Sequence, residues 1–516
     1  MPTITRQFTK FIFPFQFEEG RLNPAQVKMA TKKGEAEVFE RFSVATESLR
    51  EGLDMMLSSE GGTAKVADCY RLNVNCRRHF SLPPRKTDAL DFYTRAGGDT
   101  PQRVAITDLK LYLFESRVGY AELECEYESR SLEDYVDLNY FISEAKSEKN
   151  RFISHEKVWN EETRTATVKD TAFTVGELLS CLFDEISGGD STAVQFSYQK
   201  VKPLVYSYLL VDEKPDDIKD LLFHLNKNYK DSYKFAADCT AVNTLHPFDN
   251  SYWTSSLNGA TNLSFLTGDK ITDGFFTDDF YTKAKDTYYF LFLNVLHQRH
   301  AIARITGEMG HLDCLVNDYY LMSEQLKQAK TCEARAINLK FRAFFKYPSS
   351  IEHINNYYDM LYKSFQINEF YTNFTQDITN LQNICKRYVD RITERENKIK
   401  KCKAAKTEIL VSIAGTVVAE VTVFNNSWAL IEKILGHSVD FWSPTILILL
   451  AALISPLFTI FMNVKKQLYE INTLTEQLKT ERYENLVEDD RDRRKKRKKF
   501  RKKLKRLFKS KHEGKK

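Results

Sequence analysis

The chain has 516 residues, of which 42% are hydrophobic and 28% charged, a composition that excludes a protein mostly embedded in a membrane. Its net charge of +5 is unevenly distributed: residues 491–516 hold 17 Lys/Arg and two acidic residues, a charge of +15, which leaves −10 for residues 1–490. Nine cysteines without CxxC pairs argue against structural zinc and a disulfide framework, and are typical of a reducing compartment.

The N-terminal region predicts a soluble domain. The start of the chain contains no uninterrupted apolar segment, which argues against a cleavable signal peptide. Alternating apolar and polar residues predict two strands in Val104–Tyr127 around a turn near residues 116–119, and another strand at Val201–Val211. Asn250–Leu266 predicts a hairpin that turns at Asn258-Gly259. With helices predicted at Val175–Ser187 and Asp216–Asn226, residues 1–280 form a mixed α/β cytosolic domain, and the fold class is α+β.

Residues 281–407 predict a helical stalk. Asp286–Gln328 has apolar residues at helical spacing and no proline. After a turn at residues 347–350, a second helix is predicted over Ile351–Lys406, continuing into the membrane segment without a break. Such a helix would couple the cytosolic domain mechanically to the bilayer.

The first predicted transmembrane helix covers residues 408–431. Its core, Ile409–Ile431, carries a single charge, Glu420, and is long enough to cross a bilayer. Polar residues recur every fourth position in one stripe: Glu408, Ser412, Thr416 and Glu420. A carboxylate in the hydrocarbon region is costly unless it faces water or a partner, so the helix is predicted to line a pore or pack inside an oligomer. Alternatively, Glu420 marks the early end of a shorter span.

The second predicted transmembrane helix covers residues 444–464, a segment without any charge. The alternative is a buried helix of a large soluble core. Lysines flank both spans on their outer sides, whereas the link at residues 432–443 has only Lys433. The positive-inside rule therefore predicts a multi-pass protein of the inner (cytoplasmic) membrane with both termini cytoplasmic.

The tail at residues 465–516 is strongly basic at its end. Near the membrane surface, its cations would attract anionic lipid with about 1 kcal/mol per residue. Nucleic-acid binding and a merely solvated charge run are the alternatives, but direct nucleic-acid contact is not expected. No P-loop, GxGxxG, HExxH or GxSxG motif is found, so an enzyme is not expected.

The architecture resembles the CorA family of membrane channels, which have an α/β cytosolic domain, a stalk helix and two spans with cytoplasmic termini. Four segments carry the resemblance: FIFPFQF, VGYAELE, WTSSLNGA and YYFLFLNVLHQRHAI. The family's Gly-Met-Asn signature at the end of the first span is absent, because Asn425 and Asn426 occupy that stretch. The resemblance implies a homopentamer and puts selective magnesium transport in doubt.

Family members without the signature resemble the CorA effectors of type III CRISPR systems, which answer the nucleotide second messenger SAM-AMP during antiviral defence. The expected function is therefore an ion channel or effector gated by a cytosolic ligand. A Mg²⁺-type divalent cation transporter and a non-conducting membrane-anchored receptor are the alternatives.

The expected sites follow from this resemblance and from charge. Glu420 would form a carboxylate ring that favours cations, and Asn425 and Asn426 would offer amide oxygens at the outer mouth. Cationic side chains would hold the phosphate of a nucleotide, and the candidates are Arg77, Arg78 and Arg151; each could equally be an ordinary surface arginine. The acidic pairs at residues 212–213 and 216–217 are either solvated or bind Mg²⁺ between subunits.

Overall fold

The computed structural model describes residues 2–18, 32–33, 36–44, 49–50, 53, 55–57, 66–94, 100–145, 147–160, 165–190, 193–196, 202–230, 232–233, 243–312 and 319–435, with a few positions between 458 and 473. Most of the second predicted span, most of the link and the end of the basic tail lie outside the described residues.

The described strands belong almost entirely to one large sheet. They are β1 (Ile4–Phe17), β2 (Lys32–Lys33), β3 (Ala36–Glu37), β4 (Phe39–Arg41), β5 (Ala67–Leu72), β6 (Leu90–Tyr93), β7 (Gln102–Phe114), β8 (Val118–Tyr127), β9 (Arg151–Asn160), β10 (Thr165–Phe173), β11 (Val194–Phe196), β12 (Leu204–Val211), β13 (Asn243–Phe248), β14 (Ser251–Ser256) and β15 (Gly259–Phe265).

The sheet follows the order β10-β9-β6-β7-β8-β1-β12-β15-β14-β13, with β11 on β1 and with β4 and β5 beside β7. Its described pairs are antiparallel except β12 with β15, which run parallel. The N-terminal segment FIFPFQF lies in β1, between β8 and β12. A strand in that position is covered on both faces, which explains its near-continuous apolar sequence.

The described helices are α1 (Leu132–Ser143), α2 (Val175–Ser187), α3 (Ile218–Lys227), α4 (Lys270–Gly274), α5 (Phe280–Lys283), α6 (Tyr289–Met309), α7 (Tyr319–Ala343), α8 (Glu352–Ser364) and α9 (Ile367–Leu435). Short 3₁₀ helices cover Met55–Leu57 and Val74–Phe80, and π-helical turns cover Phe275–Asp279 and Ala284–Tyr288.

Local sequence explains where these helices begin and end. Thr174 and Glu177 form a reciprocal capping box at the start of α2, and Gly188 ends that helix in the left-handed conformation. Asp217 caps the first turn of α3, and Ser131 does the same for α1. These side chains satisfy backbone N–H groups that the helices leave without an internal partner.

Helices cover the sheet on two sides. One face packs Phe11, Leu111 and Leu209 against α1, α2 and α3. The other face packs Tyr206 and Tyr208 against α6 and α8. Because successive strand residues point to opposite faces, β12 has all eight of its residues buried. The sheet is therefore the middle layer of a three-layer α/β/α body.

The compact unit that holds the sheet comprises residues 1–310 and 332–378, and the second unit comprises 311–331 and 379–516. The first unit thus includes α6 and α8, which sequence analysis assigned to the stalk. Every side of α6 near its start is buried, from Tyr289 to Gln298, as expected of a helix enclosed in a core.

Several predicted elements are confirmed. β7 and β8 form the hairpin predicted in residues 104–127, β12 ends at the predicted Val211, and α2 has the predicted bounds. The second hairpin forms as predicted, but its turn residues are Leu257 and Asn258, one residue earlier than the predicted Asn258-Gly259, because Gly259 already pairs with Ser256. Gly259 has φ of 152°, and a Cβ there would lie 1.8 Å from the Val205 carbonyl oxygen, so this close strand contact requires glycine.

The predicted helix over residues 351–406 differs from the structure in one respect. It is interrupted between α8 and α9, where Gln366 has φ of 56°, a left-handed conformation that ends a helix. From Ile367 onward α9 continues without a break through the first predicted span to Leu435. The mixed α/β fold class is confirmed, whereas the two membrane spans stay a prediction.

Candidate functional site

The predicted pore residues lie on one continuous helix. Glu408, Ser412, Asn425 and Asn426 of α9 are exposed, and Thr416 is half-buried. The Thr416 hydroxyl donates to the Ser412 carbonyl oxygen at 2.8 Å, a bond that satisfies the hydroxyl within its own helix. The side chain of Glu420 lies outside the described residues.

The polar stripe winds around α9. At 3.6 residues per turn, each step of four residues turns the direction of the side chain by about 40°. From Glu408 to Glu420 the stripe therefore rotates by about a third of the circumference. Asn426 follows Glu408 by five full turns and returns to the same face. In an assembly, polar residues that rotate around the helix in this way face a common axis along their whole length only if the helices cross at an angle.

The same stretch of α9 exposes large apolar side chains. Leu410, Val411, Val418, Val421 and Leu430 are between 52% and 66% exposed. Across the part of the chain that the structure describes, no helix meets the length and apolarity required to span a membrane. The side chains at several positions of 409–431 lie outside the described residues.

The three candidate arginines occupy different settings. Arg77 is buried in the 3₁₀ helix, and its guanidinium donates to the carbonyl oxygens of Pro83 at 2.7 Å and Ile106 at 2.6 Å. A phosphate at Arg77 would have to displace these carbonyls. Arg78 and Arg151 are exposed, and Arg151 donates to the Glu148 carbonyl oxygen. Their role in ligand binding stays a prediction.

The acidic pairs of residues 212–217 have local structural roles. Asp212 accepts from both the backbone and the hydroxyl of Thr3, at 2.7 and 2.5 Å, and these bonds lower the pKa of Asp212. Asp217 accepts from the Asp220 amide at 3.0 Å. Among the described residues, no group of His, Cys, Asp or Glu is placed to hold a metal ion.

A buried charge cluster, unforeseen in sequence analysis, lies between the sheet and α6. We use this name for Lys10 of β1, Lys110 of β7, Glu122 and Glu124 of β8, and Lys285 of the π-helical turn before α6. Lys110 lies directly opposite Glu122, and Lys10 directly opposite Glu124, in the strand register. All except Lys285 are almost fully buried. The cluster is a dense group of ionised side chains in the core of the body.

The contacts of the buried charge cluster are short. Lys110 Nζ lies 3.1 Å from Glu122 Oε1 and 3.2 Å from Glu124 Oε2. Lys285 Nζ lies 2.5 Å from the other oxygen of Glu124. Lys10 Nζ donates to the Lys285 carbonyl oxygen at 3.0 Å and lies 3.6 Å from the centre of the Tyr289 ring. Each carboxylate therefore faces more than one ammonium group.

Burial and charge act in opposite directions on these pKa values. For both carboxylates burial raises the pKa, but the neighbouring lysines lower it by more, so Glu122 and Glu124 stay ionised. Burial lowers the pKa of Lys110, but its carboxylate neighbours raise it above the ordinary value. Lys10 differs: burial dominates, and its pKa falls to about 8. Lys10 is therefore the lysine of the cluster that loses its proton most readily.

The cluster joins the sheet to the start of the helical region. Lys285 belongs to a π-helical turn, a geometry often found at functional sites. Its side chain reaches Glu124, while its carbonyl accepts from Lys10. A shift of this turn relative to β1 and β8 would break both contacts. The cluster therefore links the position of this turn to that of the sheet.

The cluster left only a weak signal in the sequence. Both glutamates lie in VGYAELE, where alternation predicts a polar face turned to solvent. The structure confirms the alternation, because Ala121 and Leu123 face the apolar core. The opposite face is buried as well, because Lys10 of β1, Lys110 of β7 and Lys285 supply its counter-charges. Such long-range pairing is not visible in the local pattern.

No family model, curated protein or solved structure matches this chain in sequence or fold.

Proposed function

We propose that the chain is a homo-oligomeric membrane ion channel of CorA type, gated by a ligand that binds its cytosolic body. One observation carries the proposal. Helix α9 begins in the core of the body, where Ile367 and Phe374 are buried, and continues unbroken into a stretch with exposed valines and leucines around a polar stripe. Exposed apolar side chains in such number need a covering of lipid or of further copies.

The polar stripe supports conduction. In a ring of identical subunits, Glu408, Thr416 and Glu420 would present oxygen atoms toward a common axis, and carboxylate rings favour cations. Asn425 and Asn426 would coordinate a hydrated ion near the outer mouth. The assembly proposed by analogy is a pentamer in the inner membrane, and the basic tail would bind anionic lipid.

The body supports ligand gating. Its buried charge cluster couples the sheet to the π-helical turn, so a ligand that displaces either part changes the balance of several ion pairs. The proposed ligand is a nucleotide second messenger of the SAM-AMP kind, as in the type III CRISPR effectors that the chain resembles. Mg²⁺ is the alternative regulator.

The test is ion flux into liposomes that contain the full-length protein. We expect flux to depend on SAM-AMP and to be abolished without it. Flux that is constitutive, or controlled by Mg²⁺ alone, would support the transporter instead. The absence of flux under all of these conditions, with the protein correctly inserted, would support the membrane-anchored receptor and overturn the channel.

A matched pair of variants tests the pore. Glu420→Gln removes the proposed carboxylate ring without changing the size of the side chain, and it should reduce the permeability ratio of cations to anions several-fold. Glu396→Gln makes the same change earlier on α9, outside the predicted span, and should leave that ratio unaltered. If conductance and permeability are unchanged in Glu420→Gln, that residue does not line a pore.

A further inference from the structure

A cavity of about 490 Å³ lies where the N-terminal ends of α1 and α3 meet. This volume is in the range of small-molecule sites. Leu132 and Val136 of α1 and Leu221 of α3 provide apolar wall. The cavity belongs entirely to the sheet-containing unit and is remote in sequence from the proposed pore. A molecule with a carbon body of moderate size would fit these walls.

His224 of α3 lines the cavity with a side chain that is 2% exposed. Within the described part of the chain, neither of its ring nitrogens makes a hydrogen bond. The nearest carboxylate oxygen, Oδ2 of Asp220, is 3.5 Å from Nε2 and does not complete one. Buried polar groups are nearly always paired. An imidazole that is buried beside an open cavity and makes no hydrogen bond is therefore available to a ligand.

The charged residues that line the cavity favour one class of ligand. Glu133 of α1 and three aspartates at the start of α3 line it, against a single cation, Arg130. Helix N-termini ordinarily attract anions, but side chains already cap these two: Ser131 accepts from the Asp134 amide, and Asp217 accepts from the Asp220 amide. The remaining carboxylates make the cavity attractive to cations.

An organic cation fits better than a metal ion. Among the described residues, none of the His and carboxylate groups is arranged to ligate a metal, and the apolar walls suit a carbon body rather than the water shell of an ion. We propose that this cavity binds a small organic cation, an amine or guanidine with an apolar body, through its carboxylates and His224. The site stands whether or not the chain conducts ions.

The test is calorimetric titration of the full-length protein in detergent with agmatine, at low salt because exposed carboxylates are screened by ions. We expect saturable binding, and no binding of butane-1,4-diol, a neutral molecule with the same four-carbon body. MgCl₂ at equal concentration should not displace agmatine. Absence of saturable heat, or displacement by Mg²⁺ as effective as by a competing amine, would overturn the proposal.

Variants place the binding in the cavity. Glu133→Gln combined with Asp216→Asn removes two exposed charges that line it, and should weaken agmatine binding at least tenfold. The control combines Glu213→Gln with Asp249→Asn, which remove the same charge from exposed positions that do not line the cavity. Thermal unfolding of each variant checks folding. Equal weakening by both pairs would indicate non-specific attraction and would refute the site. His224→Gln, which keeps hydrogen-bonding capacity, should retain more binding than His224→Phe.

Discussion

Strand β12 and the last third of α9 are both rich in valine and leucine, yet their side chains end in opposite surroundings. In β12 all eight residues are buried, because helices cover both faces of the sheet. In α9 the side chains of Val411 and Val418 are about two-thirds exposed, at 66% and 65%. The body thus buries its apolar residues within one chain, whereas α9 leaves these valines exposed among the described residues.

The largest expected difference concerns packing. Trp253 is fully buried, with its ring centre 4.5 Å from that of Tyr357 and 4.9 Å from that of Tyr288. Trp253→Ala should lower the free energy of unfolding of the body by about 3–5 kcal/mol. Val418→Ala should change it by less than about 0.5 kcal/mol. Urea denaturation of the full-length protein in detergent, followed by circular dichroism, measures both values. Similar losses of unfolding free energy in the two variants would contradict the expected difference between the packed body and the exposed part of α9.

The second difference concerns charge. Glu122→Ala leaves Lys10, Lys110 and Lys285 buried around one carboxylate, Glu124, instead of two, and this excess of buried positive charge should cost about 3–5 kcal/mol. Glu394, which pairs with Lys398 at 2.9 Å on the exposed surface of α9, should be replaceable by alanine without measurable loss. The double variant Lys110→Met/Glu122→Met should be more stable than Glu122→Ala, because it removes both charges of one pair. If the double variant is less stable than Glu122→Ala, the loss of stability in Glu122→Ala does not arise from the buried positive charge that Glu122 balances.

Part of this difference between the body and α9 could be predicted from the sequence. The hairpin was predictable from its Asn-Gly pair, although the structure uses Gly259 for a close strand contact with Val205 rather than in the turn itself. The start of α6, YYFLFLNVL, is apolar on every side, a pattern that indicates a helix buried in a core rather than an exposed stalk. The charges of VGYAELE were not predictable as buried, because Lys110 of the same hairpin balances only part of their charge. The other partners come from β1 and from residue 285, about which local alternation carries no information. The left-handed break at Gln366 had no glycine to mark it.

The cavity was equally hidden. Its residues come from the chain start, from α1 and from α3, and only the fold brings them together. Asp216 and Asp217 were visible as an acidic pair, but nothing in the sequence distinguishes a solvated pair from one beside a cavity. His224 was visible only as one of several single histidines, and its unpaired ring depends on burial by neighbours distant in sequence.

A third, smaller difference concerns pH. His297 of α6 is buried and His300 is half-buried. Removal from solvent lowers their pKa values to about 3 and about 4, with smaller contributions from His300 to the first and from Arg299 to the second. The unfolded chain, with histidine pKa near 6.5, takes up protons first as the pH falls. Stability of the body should therefore decrease from pH 6.5 toward pH 4, by up to about 1.4 kcal/mol per pH unit for each histidine.

One variant and one comparison with a second histidine test the sign of this dependence. His297→Gln should flatten the decrease between pH 6.5 and pH 4 in urea titrations. His155 provides the opposite case, because hydrogen bonds from its ring to Asp170 and Asp91 raise its pKa. The contribution of His155 to the stability of the fold should be present below pH 6.5 and lost as the pH rises through its raised pKa. Its amplitude should be small because the ring is exposed. An unchanged slope in His297→Gln would show that this histidine is protonated in the folded body.

The smallest expected effect on stability is the most informative about α9. In a protein whose other cysteines are replaced, Val418→Cys should react with a polar maleimide in native membranes at least tenfold more slowly than Cys402 does. Cys402 precedes Val418 in the lysine-rich part of the same helix and serves as the control. A single exposed chain would give comparable rates, since Val418 is two-thirds exposed.

Slow labelling of Val418→Cys that persists when monomers are isolated in detergent micelles indicates that detergent or lipid covers this position. Faster labelling in isolated monomers indicates that further copies of the chain cover it in the membrane. Comparable rates in membranes would mean that neither lipid nor another subunit covers this face, and the channel proposal would fail with it.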